Sequence, residues 1–155
     1  MSTDYIVSSL PALAFGAPAP MSWAKFAEAC GGEDALLRCI ARSGWADMET
    51  QMRNAMAEAR APGRTDCRRP ATGCSLYWRG RVLSCFQEKD VLRRDELLDK
   101  VWWDAAGELT PPASPLGTGA LATYALRLRI ALRRDMMSTE KGNAAFDRLT
   151  AETKR

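Results

Sequence analysis

"ALATYALRLRIALRRDM", Ala120 to Met136, carries the most informative apolar pattern in the chain. On a helical wheel, Leu121, Tyr124, Leu128 and Leu132 form one stripe. Leu126, Ile130 and, just past the quoted stretch, Met137 form a second stripe nearly opposite. Arg129 and Arg133 separate the stripes on one side, Arg127 and Arg134 on the other. A surface helix ordinarily has one apolar stripe. Two stripes imply a helix held between layers, or a helix with one face left for another protein. Leu126, Ile130, Met137, Arg127 and Arg134 are therefore the candidate partner-binding residues.

The segments on either side extend the helical reading. "GELTPPASPLGTG" (Gly107–Gly119) is the clearest linker. Before it, Asp90 can cap or break a helix that carries Leu97, Leu98, Val101 and Trp102 to about Ala106. A further helix from about Ser75 places Leu76, Leu83 and Phe86 on one face. "PGRTDCRRPATG" (Pro62–Gly73) is a polar, basic loop. Ahead of it, a helix from Trp45 to about Ala61 has Met48, Met52, Ala55, Met56 and Ala59 on one stripe. Leu36, Leu37 and Ile40 point inward from a helix that starts near Glu33 or Asp34 and stops at Ser43-Gly44. Ser22 caps another helix, whose Trp23, Phe26, Ala27 and Cys30 precede the stop at Gly31-Gly32. Past Met137, Ser138 or Thr139 can cap a last helix holding Phe146 and Leu149.

No stretch alternates with period two between hairpin turn residues. The expected fold is all-α: a single compact helical bundle of about six to seven helices. It forms one domain over residues 1–155, with loops near 62–73 and 107–119.

"YIVSSLPALAFGAPAP" (Tyr5–Pro20) opens the chain on an apolar run. No Lys or Arg precedes it, as a signal peptide would require. Pro11, Gly16, Pro18 and Pro20 interrupt it far short of the roughly 20 apolar residues that span a bilayer. It is expected to stay in the protein as a short apolar element, helix or strand, with Leu13 and Phe15 anchoring an extended segment on the core. No direct membrane insertion is expected.

The 155 residues carry a net charge of +3, with 22 basic and 19 acidic side chains intermixed. That balance gives no strong case for nucleic acid. The chain has no histidine, so the commonest general base and the usual zinc ligand sets are missing. Five cysteines, without a CxxC pair, are expected to be free. Cys67 and Cys74, in a loop with Arg64, Arg68 and Arg69, leave a thiol-based redox role as the weakest reading. Asp95, Glu96 and Asp99 share a helix with Arg93, Arg94 and Lys100 and read as a solvated mixed-charge face. Of the adjacent pair Trp102-Trp103, Trp102 is expected in the core and Trp103 partly covered. The Met48/Met52/Met56 stripe is expected to be core in preference to an adaptable binding groove. No P-loop, dinucleotide fingerprint or nucleophile elbow is present. No catalytic residue, cofactor or metal is expected.

Three stretches together resemble a known family. "YIVSSLPALAFGAPAP" is similar to the N-terminal signature of a bacterial family of uncharacterised proteins encoded in V/A-type ATP synthase operons. "KDVLRRDELLDKVWW" (Lys89–Trp103) resembles its middle helix. "YALRLRIALRRDMMSTEKGNAAFDRL" (Tyr124–Leu149) resembles its C-terminal helix pair. The chain departs from the family pattern in its basic, cysteine-bearing loop. The resemblance implies a noncatalytic helical accessory or central-stalk-type component whose partners are V/A-type ATPase subunits. It would be cytoplasmic, or peripheral at the inner membrane through a complex. The alternative is a helical nucleic-acid-binding or transcription-associated module using the basic helix 120–137, through Arg127, Arg129, Arg133 and Arg134. No helix-turn-helix pairing precedes that helix, and nucleic acid is not the expected partner.

Overall fold

Local signals set most helix starts and stops. Ser22 accepts a hydrogen bond from the Lys25 amide and starts α2, Trp23–Ala29. Asp90 accepts from the Leu92 and Arg93 amides and starts α6, Val91–Gly107. Each side chain satisfies amides that have no partner inside the helix. Gly44 takes a φ of 80° at the turn between α3, Glu33–Arg42, and α4, Trp45–Arg60, a conformation open to a residue without Cβ. The remaining helices are α1, Thr3–Ser9, α5, Leu76–Cys85, and α7, Thr118–Met136.

The computed structural model describes residues 2–66, 68–73 and 75–137, with 142–144, 147–148 and 151. Among these there is no strand, so the fold is all-α. Of the final helix expected past Ser138 or Thr139, residues 142–144, 147–148 and 151 are helical, whereas Phe146 and Leu149 lie outside the described residues, as do Cys67 and Cys74. Cys30, Cys39 and Cys85 are free.

Neighbouring helices pack in a closed circuit: α3 on α4, α4 on α5, α5 on α6, α6 on α7, and α7 back on α3. Helices α1 and α2 also lie against α7. The core runs through the circuit, from Phe26, Leu36 and Leu128 to Met52, Val82 and Val101, all essentially without solvent contact. α7 is buried on most of its circumference along its N-terminal half, from Ala120 to Leu128. There it is held between layers, as one reading of its two stripes requires.

The N-terminal stretch forms a helix and then a strap. Ile6 of α1 is buried, Leu13 packs on the core, and Phe15 meets Trp103 edge-on at 5.5 Å. The strap is tied to α7 by the Tyr124 hydroxyl, which donates to the Pro11 carbonyl, and by the Ala19 amide, which donates to Asp135. The 62–73 loop is held along α4. Gln51 and Asn54 donate to the carbonyls of Thr72 and Arg69, while Asp47, Asn54 and Gln51 accept from the amides of Thr72, Arg69 and Ser75.

Three sequence expectations are corrected. Trp103, not Trp102, is the core member of the pair: Trp103 is 6% exposed, whereas Trp102 is half-buried. Successive residues point about 100° apart on a helix, and α6 turns Trp103 toward Phe15 and Arg127. In α5, Leu76 is 73% exposed, and the buried face is Trp78, Val82 and Cys85. In α3, Leu36 and Ile40 are buried but Leu37 is 41% exposed.

The 107–119 linker closes tightly on α7. A Cβ added to Gly119 would fall on the Leu109 carbonyl oxygen and 3.0 Å from its carbon. Backbone cannot swing away as a flexible side chain can. Gly119→Ala should therefore destabilise, by about 1–3 kcal/mol as overpacking does, even though alanine is the better helix former. A thermal melt checks this; an unchanged or raised midpoint would contradict the close approach.

Candidate functional site

α4 does not pack closely on α6 or α7, although all three belong to the same circuit. The gap is an open groove of about 510 Å³. Leu37 and Ile40 of α3, Trp45 and Met56 of α4, Leu98 and Trp102 of α6, and Leu126 and Ile130 of α7 supply its apolar surface. α4 lines it from Trp45 to Met56, about 16 Å at 1.5 Å per residue.

The charged lining is largely self-neutralised. Arg53 pairs with Glu49 at 2.6 Å. Arg133 bridges Asp95 at 3.3 Å and Asp99 at closer range, and Arg134 reaches Asp99 at 3.5 Å and Glu96 at 3.6 Å. Asp99 is only 7% exposed, which corrects the expectation of a solvated acidic face. Burial raises its pKa above the ordinary aspartate value, while the Arg133 guanidinium pulls it back down. Among the described residues no cluster of acidic or cysteine side chains could hold a metal ion.

The pKa direction gives a pH prediction. An acid with a higher pKa in the folded state binds its proton more readily there, so protonation favours folding. Asp99's contribution to stability therefore grows as pH falls from its folded pKa toward its unfolded one, and is lost as pH rises through the folded pKa. Asp99→Asn cannot titrate. The stability of the wild type relative to this variant should rise on acidification from pH 7 to pH 4. A difference in melting midpoint that is flat, or that moves the other way, would refute the assignment.

The candidate partner-binding residues separate. Leu126 is buried at the groove floor, Ile130 is half-buried on its wall, and Met137 is 54% exposed at the end of α7. Arg127 and Arg134 turn away from the groove. Arg127 Nε donates to the Trp103 carbonyl at 3.0 Å, and its guanidinium lies over the Trp103 ring at 5.2 Å. Arg134 sits 4.8 Å from the Phe15 ring. The groove arginines of α7 are Arg129 and Arg133 instead. Of the methionine stripe, Met52 is fully buried, whereas Met56 lines the groove. Sequence reasoning missed Leu37, Trp45 and Trp102. The available signal was Leu37 and Ala41 at i and i+4, turned away from the Leu36 side of α3.

Cys30 and Cys39 carry little thiolate. Burial pushes the Cys30 thiol up to about 11 and also raises Cys39. Comparison with protein-family models, characterised proteins and solved structures finds no match to this chain. No helix among the described residues is long and apolar enough to cross a membrane.

Proposed function

We propose that the protein is a noncatalytic helical adaptor acting through protein–protein contacts, and that the assembly it serves is a V/A-type ATPase. The observation that carries the adaptor reading is the groove between α4 and the α6–α7 pair. Its apolar floor is open and most of its charged lining is paired internally, a surface suited to receiving apolar side chains. Interfaces have this character, with an apolar centre inside a polar rim. The choice of ATPase rests on the sequence resemblance alone. On this reading the protein reaches the membrane only through its complex.

The nucleic-acid alternative needs open arginines on α7. Arg127, Arg129, Arg133 and Arg134 each engage a ring, a carbonyl or a carboxylate of the same chain, which favours the adaptor.

Co-expression with tagged V/A-type ATPase subunits tests the proposal. The wild-type chain should co-purify, and Ile130→Glu, with an unchanged circular dichroism spectrum, should reduce recovery at least tenfold. Wild-type recovery no greater than that of an unrelated helical protein would defeat the ATPase reading. Equal recovery of wild type and Ile130→Glu would defeat the groove as its contact.

A further inference from the structure

We propose that the outer face of α5 is a second docking surface, and that it takes a partner helix whose apolar stripe is flanked by Asp or Glu. α5 contributes no residue to the groove, so this surface stands apart from the one that carries the adaptor reading.

α5 is held by α4 on one side and α6 on the other, with Trp78, Val82 and Cys85 turned inward. At 100° per residue, Leu76, Gly80 and Leu83 form a second stripe on the opposite side. Leu76 is 73% exposed and Tyr77 beside it 61%; Gly80 is exposed and Leu83 half-buried. The Tyr77 ring is fixed in place. It meets the Trp78 ring edge-on at 4.8 Å, and its hydroxyl accepts from Arg81 at 3.1 Å. A ring already fixed loses little freedom on binding. Gly80 lies inside the helix, and a Cβ there would meet nothing within 4 Å. Packing within the chain therefore does not call for glycine, although alanine is the better helix former. In the middle of an exposed apolar stripe, Gly80 leaves a notch that admits the close approach of a facing helix. A face built to sink into a lipid surface carries a bulky apolar side chain at such a place.

The charge around α5 is one-sided. Residues 58–81 hold six arginines and two acidic residues, against 22 basic and 19 acidic in the whole chain, so outside this stretch acids outnumber bases. On the α4 flank, Arg68 and Arg79 share one carboxylate, Glu58, at 3.5 and 3.1 Å. On the α6 flank, Arg81 and Lys100 share Asp104. At the C-terminal end of α5, Arg60 and Arg94 rest on the Phe86 ring at 5.8 and 5.3 Å and form no ion pair among the described residues. Nearby, the Glu108 and Glu88 carboxylates accept from the Trp78 indole nitrogen and the Asp90 amide. Both flanks of the stripe thus hold two cations to one carboxylate. A helix with acids on either side of its apolar stripe meets a cation on each flank, and guanidinium groups suit carboxylates in particular. A helix with Lys or Arg there is repelled.

The test is a selection on the full chain from a displayed library of helix-forming peptides about four turns long. Gly80→Gln fills the notch, and its side chain has open space, so the melting midpoint should be unchanged or raised. Binders that weaken at least tenfold on Gly80→Gln occupy the α5 face. These should be enriched in Asp and Glu beside their apolar stripe, and the paired change Arg68→Glu with Lys100→Glu should shift the selection toward basic peptides. Circular dichroism of each variant guards against misfolding.

Gly80-sensitive binders without acidic bias would overturn the inference, as would a selection that yields none. Binding to vesicles of phosphatidylcholine and phosphatidylglycerol, or to a single-stranded oligonucleotide, that is lost on Gly80→Gln would make a lipid surface or nucleic acid the occupant and would also overturn it. So would light scattering that shows a dimer dissociated by Gly80→Gln. None of these results touches the groove, whose contact is decided by Ile130→Glu.

Discussion

Leu128→Glu should abolish the folded state, while Ile130→Glu, two residues along the same helix, should remain folded. Leu128 has no exposed surface and belongs to the central core. A carboxylate there has no partner and no water, and its burial costs several kcal/mol on top of the lost packing. That is a large share of the roughly 5–15 kcal/mol that holds a typical domain together. Ile130 is half-buried on the open groove, where a glutamate can turn to solvent. Its substitution should cost on the order of 1 kcal/mol, the average for point mutants. Thermal melts of the two variants check the contrast. If Ile130→Glu melts as early as Leu128→Glu, the groove is closed in solution and Ile130 belongs to the core.

The adjacent tryptophans supply the second large contrast. Trp103 is buried between Phe15 of the strap and the Arg127 guanidinium, and its carbonyl accepts from Arg127. Trp103→Ala removes this packing and leaves a cavity, at a cost of about 3–5 kcal/mol. It should also loosen the strap, so proteolysis near Phe15 should accelerate. Trp102→Ala should leave the melting midpoint within a few degrees and enlarge the groove. Comparable losses from the two variants would mean that both rings are packed inside the core.

Much of this fold was legible because its boundaries are local. Ser22, Asp90 and the Gly31-Gly32 stop act on neighbouring amides and carbonyls, so their effect is written within a few residues. The faces of α5 and α6 were harder. Leu76, Leu83 and Phe86 make a plausible stripe, but Trp78, Val82 and Cys85 make another, and the larger Trp78 takes the interior, where its indole nitrogen donates to Glu108 at 2.9 Å. The order of Trp102 and Trp103 turns on a rotation of 100°, which only their neighbours fix. Ile130 could be singled out because two stripes on one helix are unusual. The rest of the groove could not, because Leu37, Trp45 and Met56, from the consecutive helices α3 and α4, face Trp102 of α6 more than 40 residues further along the chain, and they line one gap only through the spacing of α4 from α6 and α7. The burial of Asp99 has the same origin: a charged helix face in isolation, it is covered only when α7 brings Arg133 and Arg134 across it.

The ties between the N-terminal strap and α7 bear on how the chain matures as it leaves the ribosome. Tyr124 and Asp135 hold Pro11 and Ala19 across 113 and 116 residues. α1 and α2 both rest on α7, which emerges after α1 to α6. The α4–α5 and α5–α6 hairpins can form as soon as they are made, since their contacts are close in sequence. Phe26 and Leu36, by contrast, must wait for Leu128, so the first helices to be synthesised are among the last to be covered. Nascent chains halted before residue 118 should therefore show apolar N-terminal surface to chaperones, and translation through α7 should bury it.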